Sequence, residues 1–268
     1  MVRAETAGEA EPAPLTKVPL PLDGLGFTRR RSHWHRGALL AFDLETTGVD
    51  PARARIVTAT MVKIRGGDPV GRHWIGETSE WLVNPGIEIP AEASAIHGVT
   101  TERARREGAA PRFVIESLLQ CLADTAVRGE PVVGHNVCYD LTVLHAEAVR
   151  WGLIPPSSKE AGLGWVIDTL VVDKQLDRFR KGKRTLAHTA AHYEVPLVNA
   201  HNATADAVAA ARVAVAMAEK YPALRDLSLE ELHLSQIDWK QEQAKGLQEW
   251  LRSRDPRIVI DGRWPVAI

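Results

Sequence analysis

Two successive patterns of apolar residues constrain the fold of this chain most strongly. Three strand-like segments first follow one another with short turns between them, at residues 38–45, 56–65 and 73–85. Helical spacing of apolar residues then alternates with short apolar runs at residues 131–136 and 164–169. Consecutive strands predict an antiparallel meander, and strand–helix alternation predicts parallel pairing. Together they predict an α/β domain with a mixed sheet.

This pattern predicts three parts of the chain. Residues 1–37, rich in Ala, Glu, Pro and Gly and ending in the basic stretch RRRSHWHRG, are expected to be a flexible N-terminal extension. Residues 38–221 carry the α/β pattern. Residues 222–268 form a C-terminal extension, in which we expect a helix and then a hairpin turning at Asp261-Gly262.

The composition excludes some classes of protein. The net charge of −1 gives no global field that attracts nucleic acid, so a polyanion would have to be bound by local patches or cations. Only two cysteines are present, and no apolar run reaches the length of a membrane span. We therefore expect a cytoplasmic protein with no membrane partner.

Two acids end the first predicted strand. Asp43 and Glu45 are two residues apart, so their side chains point to the same face of a strand whose other residues are apolar. Paired carboxylates on a buried strand repel each other unless a cation neutralises them. A site for a hard divalent ion and a harmless strand end that meets solvent are both open interpretations. Thr46, Thr47 and Gly48 follow, and could form a turn or bind a nucleotide.

For two further acids and one histidine, a functional role and an ordinary structural position are both open interpretations. Asp140 opens a predicted helix after the run at 131–136, and Asp206 lies near the start of a long Ala-rich helix. Acids are common in first helical turns because they interact favourably with the helix dipole. His201 precedes Asp206 by five residues. Taken together, the four acids and the imidazole suit two-metal phosphoryl chemistry with a histidine base.

The segments that carry these residues resemble the motifs of one enzyme family. FDLETTG, HNVCYD and HNATAD, in this order, are similar to the three motifs of the DEDDh exonucleases. This family includes the proofreading epsilon subunits of bacterial DNA polymerase and the RNase T enzymes. The segments AIHGVT and VIDTL add to a resemblance that covers residues 38–221.

The resemblance implies an RNase H-like fold, with a five-stranded mixed sheet whose second strand is antiparallel. It implies 3′→5′ removal of nucleoside monophosphates with two Mg²⁺ or Mn²⁺ ions, and His201 as the general base. The implied metal ligands are Asp43, Glu45, Asp140 and Asp206. Expected contacts to the 3′-terminal nucleotide come from Leu44, Thr46, Thr47, His97, Asn136 and Tyr139.

The substrate and partners are less constrained. We expect DNA 3′ ends, with an exoribonuclease or a non-catalytic, nucleic-acid-binding accessory subunit as alternatives, and a DNA polymerase subunit as a partner. Asn136 could cap a helix, Tyr139 could stack on a base or pack, and Asp168 is expected to cap a helix.

Other charged residues invite functional interpretations. A basic segment at residues 178–184 is a candidate for phosphate contact, although a solvated loop is almost equally expected. His188 and His192 have metal-ligand spacing, but no third ligand accompanies them. His33 and His35 are expected to be solvated.

Overall fold

The computed structural model describes residues 34–65, 75–157, 162–197 and 202–268. Within these ranges the chain forms one five-stranded sheet, in the order β3-β2-β1-β4-β5. The strands are β1 (Ala38–Thr46), β2 (Ile56–Arg65), β3 (Ile75–Leu82), β4 (Val132–Gly134) and β5 (Val166–Asp168). β2 is antiparallel to β1 and β3, while β4 and β5 run parallel to β1. The predicted mixed sheet with its antiparallel second strand is confirmed.

Helices connect and cover the strands. Those of the described residues are α1 (Ala91–His97), α2 (Thr101–Glu107), α3 (Pro111–Val127), α4 (Val137–Arg150), α5 (Thr169–Leu176), α6 (Leu186–His192), α7 (Ala203–Lys220), α8 (Pro222–Arg225) and α9 (Leu229–Arg252). α3 and α4 cover one face of the sheet and α7 covers the other, so each face has its own apolar core. None of these helices is long and apolar enough to cross a membrane.

The carboxyl ends of the parallel strands all lie on the same side of the sheet, called here its carboxyl edge. β1, β4 and β5 end there at Thr46, Gly134 and Asp168. Helices α4 and α5 begin at the same edge, where a crevice outside the strand ends is the usual ligand site of open α/β sheets. The strand order therefore brings the acids of separate motifs toward one place.

The C-terminal residues correct one prediction. The hairpin expected at Asp261-Gly262 is wrong, because residues 256–268 contain no strand. Trp264 and Val266 instead join the core under α4, and the Ala267 N–H donates to the Thr142 hydroxyl at 2.9 Å. Burial against a helix therefore outweighs the local turn signal. The proposed boundary at residue 222 stays a prediction.

α9 covers the edge of the sheet formed by β5. Gln236 is fully buried; its side-chain oxygen accepts from the Asp168 N–H at 2.7 Å and its amide donates to the Val166 carbonyl at 2.9 Å. The Val166 N–H donates to His233 Nδ1 at 3.1 Å. These side chains satisfy backbone groups that a neighbouring strand would otherwise bind, which protects the edge from pairing with another chain.

The residues before β1 correct a second prediction. His35, expected to be solvated, is 2% exposed, and its Nε2 lies 3.2 Å from Glu219 Oε1 at the end of α7. Trp34 beside it packs into the core under α7. A short 3₁₀ turn, Trp34–Arg36, fixes both side chains on the domain. His33, Arg29, Arg30 and Arg31 lie outside the described residues.

Candidate active site

Three carboxylates meet at the carboxyl edge of the sheet. Asp43 and Glu45 project from the same face of β1, as their spacing predicts, and Asp206 comes from the first turn of α7. One ligand oxygen of each lies within 4.8 Å of the others. In the described part of the chain, no other set of three or more His, Cys, Asp or Glu residues is arranged in this way. All three side chains are half-buried.

A fourth acid, Asp140, lies on the opposite side of β1; its charge acts on Asp43, but it is not one of the three carboxylates that lie within 4.8 Å of one another. It lies in the first turn of α4, is 5% exposed, and accepts a hydrogen bond from the Leu44 N–H at 3.0 Å. Leu44 is the residue between Asp43 and Glu45, so this bond ties α4 to the strand that carries both acids. The Leu44 side chain is buried in the core. Its expected contact with a nucleotide stays a prediction.

Burial and mutual repulsion raise the pKa values of these acids. Burial raises the pKa of Asp43 well above its usual range, and the charges of Asp140, Glu45 and Asp206 add to the effect. Burial also raises the pKa of Asp140, although the Leu44 N–H opposes the shift. The pKa of Glu45 rises to about 7 through burial and the charge of Asp206. Each carboxylate therefore makes ionisation of the others more costly.

The chemistry of the donors fits a hard divalent cation. Asp43, Glu45 and Asp140 form no ion pair with any lysine or arginine of the described residues. Carboxylate oxygens without sulfur or imidazole are the ligands that Mg²⁺ and Mn²⁺ favour. A positive ion at this position would relieve the repulsion that raises the pKa values.

The turn after β1 is held by Tyr139. Its hydroxyl lies 2.5 Å from the Thr46 hydroxyl and donates to the Gly48 carbonyl. Thr46 also donates to the Gly48 carbonyl at 2.9 Å. Tyr139 is half-buried, so its ring both packs and fixes the turn beside the acids. Its predicted stacking on a base stays a prediction.

Thr47 has the structural role that the turn interpretation of residues 46–48 predicts. Its hydroxyl accepts from the Arg55 N–H at 3.0 Å, and its own N–H donates to the Arg55 carbonyl at 3.0 Å. The Arg55 guanidinium in turn lies 2.5 Å from a carboxylate oxygen of Glu147. Thr47 therefore closes the loop that follows β1; its substrate contact stays a prediction.

Asn136 is exposed and held in a left-handed conformation at the start of α4, with φ of 62°. Its side chain makes no capping hydrogen bond, so the interpretation of Asn136 as a helix cap is wrong. Its N–H donates to Asp168 Oδ1 at 2.9 Å. The same oxygen accepts from the Leu170 N–H at 3.0 Å, which confirms Asp168 as the cap of α5.

The double role of Asp168 was missed from the sequence. Asp168 is fully buried, and it ties the end of β5 to the turn that presents Asn136 and Asp140. The available signal was its position at the end of a short strand, because parallel neighbours bring their carboxyl ends together. Its cap function gave no reason to expect a bond to a second segment.

Of the two histidines expected at the site, the described residues include His97. His97 ends α1, where its Nδ1 accepts from the Val99 N–H at 3.2 Å. Burial lowers the pKa of His97, which favours the neutral ring. His201 lies outside the described residues. The next residue, Asn202, caps α7 by accepting from the Ala205 N–H at 3.1 Å. The role of His201 stays a prediction.

His188 and His192 take part in local contacts on α6. His188 Nδ1 lies 2.7 Å from the Thr185 hydroxyl, and His192 Nε2 lies 3.4 Å from Asp177 Oδ2. Neither belongs to a cluster of metal ligands within the ranges that the structure describes. The pair therefore offers no support for a metal site.

The fold and the acidic cluster define an exonuclease domain, and a family model described as exonuclease, of the RNase T type, matches residues 40–214. The chain belongs to this family, which confirms the resemblance found in its motifs. It is 28% identical over 197 residues to the PolC-type DNA polymerase III of Caldanaerobacter subterraneus subsp. tengcongensis, covering 74% of this chain and 13% of the relative. It is 34% identical to a DNA polymerase III subunit epsilon-like protein of Rhodobacter capsulatus, covering 42% of this chain and 15% of the relative.

Solved structures of exonuclease I share the fold. One superposes with a TM-score of 0.60 and 23% identity, covering 71% of this chain and 42% of that one. E. coli exonuclease I in complex with a dT13 oligonucleotide superposes with a TM-score of 0.56 and 21% identity, covering 71% and 43%. The RNase H-like fold is therefore confirmed. The chain spans less than half of the length of these relatives.

Proposed function

We propose that this chain is a 3′→5′ exonuclease that releases nucleoside monophosphates from DNA with two divalent metal ions. The observation that carries the proposal is the convergence of Asp43, Glu45 and Asp206 within 4.8 Å, with Asp140 tied to the same strand. Asp43, Glu45 and Asp140 have no arginine or lysine partner among the described residues, so bringing them together is costly for folding, and a metal site for phosphodiester hydrolysis gives the cluster a purpose.

The residues of the chain hold and orient the reacting groups. Asp43, Glu45, Asp140 and Asp206 are the proposed metal ligands. When bound, two Mg²⁺ or Mn²⁺ ions supply charge stabilisation at the scissile phosphate and lower the pKa of a water. The bond from the Leu44 N–H to Asp140 fixes one ligand against the strand that carries two others. This preorganisation reduces the reorganisation needed during hydrolysis.

His201 is the proposed general base. It immediately precedes Asn202, the capped start of α7, and Asp206 lies in the first turn of the same helix. This position in the chain supports placement of an imidazole beside the metal ligands. A neutral imidazole with a pKa of about 6.5 suits removal of a proton from the attacking water.

The terminal nucleotide is proposed to lie against the turn after β1 and the start of α4. Asn136 is exposed there, and Thr46 and Tyr139 form a fixed hydroxyl pair beside the acids. Bases stack on aromatic rings once they are unpaired, so a single-stranded or frayed end is the expected substrate. DNA is favoured because the relatives are named as DNA polymerase III proteins.

A degradation assay tests the proposal. Single-stranded DNA and RNA of the same sequence, labelled at either the 5′ or the 3′ end, are incubated with Mg²⁺, Mn²⁺ or EDTA. We expect a ladder that shortens from the 3′ end of DNA only when metal is present. Shortening from the 5′ end, or equal rates in EDTA, would reject the mechanism. Faster loss of RNA than of DNA would assign the exoribonuclease alternative.

Variants of two histidines test the base. We expect His201→Ala to lower kcat by about 10²-fold or more and to remove the acidic limb of the pH–rate profile. His188→Ala is the matched control, because His188 is exposed and its Nδ1 lies 2.7 Å from the Thr185 hydroxyl, within α6 and its cap. A His201→Ala enzyme with nearly full activity across neutral pH would exclude this role.

A DNA polymerase is the partner that the names of the relatives suggest. A pull-down with a replicative polymerase subunit, using the full chain and a chain that lacks residues 1–33, tests both the association and the contribution of the N-terminal extension. Equal recovery of the polymerase by both chains would exclude docking through that extension. No recovery by the full chain would exclude the partner.

A further inference from the structure

The loop between α5 and α6, residues 177–184, contains five cationic side chains that fall into two groups. The first group points inward: Arg180 donates to Asp173 Oδ2, and Arg184 donates to the same oxygen at 2.7 Å. Asp173 is fully buried, and each arginine side chain is 13% exposed. Arg184 also donates to the carbonyls of Asp177 at 2.5 Å and of Arg180 at 3.2 Å. These bonds fix the backbone of the loop.

The second group points outward. Arg178, Lys181 and Lys183 are exposed, and none of them pairs with an acid among the residues that the structure describes. Phe179 stands between two of the cations with 90% of its surface exposed. The ring is therefore open to an external partner, and it shares a short loop with three cations that have no acidic partner among the described residues.

One end of the loop is hydrogen-bonded to a residue beside the proposed active site. The His135 Nε2–H donates to the Arg184 carbonyl at 2.9 Å, and His135 Nδ1 lies 2.9 Å from the Thr169 hydroxyl. His135 directly precedes Asn136, the exposed residue at the start of the helix that carries Asp140. The fixed end of the loop is thus one residue away from the segment where the terminal nucleotide is proposed to lie.

We propose that the exposed part of this loop is the surface along which a single-stranded nucleic acid reaches the active site, an inference that rests on the proposed exonuclease function. Arg178, Lys181 and Lys183 contact successive phosphates, and a base stacks on Phe179. Because the inner arginines already hold the loop, binding orders little additional backbone. The cations also offset the acidic cluster, which repels a polyanion until metal is bound.

Binding measurements with matched variants test the surface. Fluorescence anisotropy of a labelled 20-mer of dT, in buffer with Ca²⁺ and increasing NaCl, compares the wild type with Arg178→Gln/Lys181→Gln/Lys183→Gln. Each phosphate contact on a single strand contributes about 0.7 to the slope of log K against log salt, so the slope should fall by about 2. Phe179→Ala should weaken binding by about fivefold or more at every salt concentration.

The control removes three cations from the end of the sheet opposite the acids. Across β1, Arg65 pairs with Ala38 and Lys63 with Leu40, and Arg36 lies two residues before the start of the same strand. Arg36→Gln/Lys63→Gln/Arg65→Gln should keep the wild-type slope. A loop variant with the wild-type slope, or a control variant with an equal decrease, would overturn the proposal.

Kinetics separate this inference from the proposed function. The ratio of kcat/KM on the 20-mer to kcat/KM on a dinucleotide should fall about tenfold in the triple loop variant, and should not change in the control. An unchanged ratio in the loop variant would overturn the proposed path of the strand. If the wild type degraded no nucleic acid with either metal, the exonuclease proposal would fail, while the salt slope would still decide whether the loop binds single strands.

Discussion

The buried acid Glu147 and the acids Asp43 and Asp140 have opposite electrostatic surroundings. Glu147, 1% exposed on α4, lies 2.5 Å from Arg55 Nε and 2.8 Å from a terminal nitrogen of Arg150, and accepts from the Trp151 indole at 3.1 Å. Asp43 and Asp140, near the start of the same helix, face other carboxylates. One acid is surrounded by donors, and the others are surrounded by like charges.

The difference shows what each region does. A buried carboxylate with two guanidinium partners is neutralised within the chain, so its charge supports the fold. Fully buried Asp173, with Arg180 and Arg184, follows the same arrangement. Asp43 and Glu45, at the end of β1, lack such partners among the described residues, and a bound cation of the proposed metal site would supply the missing positive charge. The charges that surround each acid therefore distinguish structural acids from those of the proposed metal site, independently of the sequence motifs.

The largest expected effect is on catalysis. Asp43→Asn keeps the shape of the side chain but removes a metal ligand, so we expect activity on single-stranded DNA to fall by about 10³-fold or more. The measurement is the rate of 3′ shortening at saturating Mn²⁺, with circular dichroism to verify folding. Glu116→Gln, which removes an acid from the exposed face of α3, is the matched control and should keep the wild-type rate. A comparable loss of activity in both variants would contradict the assignment of Asp43 to the metal site.

The next effect is on stability and concerns the neutralised acid. Glu147→Gln leaves Arg55 partly buried without a counter-charge, so we expect the free energy of unfolding to fall by about 3 kcal/mol. Urea denaturation measures this change. Removing Glu116 from its exposed pair with Arg112 should change the free energy of unfolding by less than about 0.5 kcal/mol. Equal changes in the two variants would mean that the Glu147 cluster does not support the fold.

Sequence patterns predicted much of this architecture because they report periodic burial. The strand segments along the chain, the mixed pairing of the sheet, the long helices α3 and α7, and the shared face of Asp43 and Glu45 follow from spacing and apolar runs. The cap at Asp168 also follows from local chemistry, since an acid before a helix accepts from its first N–H groups. Joining the three acidic segments into one site required the family resemblance, because spacing alone does not set tertiary distances.

Features that depend on distant contacts were missed or wrong. Nothing in the local sequence distinguishes Arg180 and Arg184, which point inward, from Lys181 and Lys183, which point outward; buried Asp173 decides between them. The burial of His35 depends on Glu219 at the far end of α7. The short helices α1, α2 and α8 were not predicted, since two turns or fewer carry too few apolar positions to establish a period.

Asp168 has electrostatic surroundings that lie between those of Glu147 and Asp43. It is fully buried, and two backbone N–H groups, rather than guanidinium groups, bind its Oδ1. Asp168→Asn keeps an acceptor for them but weakens both bonds, so we expect a loss of about 1–2 kcal/mol in the free energy of unfolding. Because the Asn136 turn is held less firmly, half-maximal activity should require more Mn²⁺. Metal titration of the rate measures this shift, and an unchanged midpoint would show that Asp168 only caps α5.

The smallest effect concerns the charge of the site itself, and it has the opposite sign from that of Glu147. Because the folded protein raises the pKa of Glu45 to about 7, folding favours its protonated form. The metal-free protein therefore loses stability as the pH rises from about 4.5, the ordinary pKa of Glu45, to about 7, its pKa in the folded protein.

Half-buried histidines such as His97 and His233, whose pKa values burial lowers, act in the other direction, since they favour folding as pH rises. A variant that differs only at Glu45 cancels their contribution. In EDTA, we expect Glu45→Gln to raise the melting temperature by about 2–4 °C at pH 8 and by almost nothing at pH 5. Mg²⁺ should in turn stabilise the wild type more at pH 8 than at pH 5, because the ion binds the ionised carboxylates. A Glu45→Gln variant that melts below the wild type at pH 8 would place Glu45 with Glu147, as an acid that supports the fold.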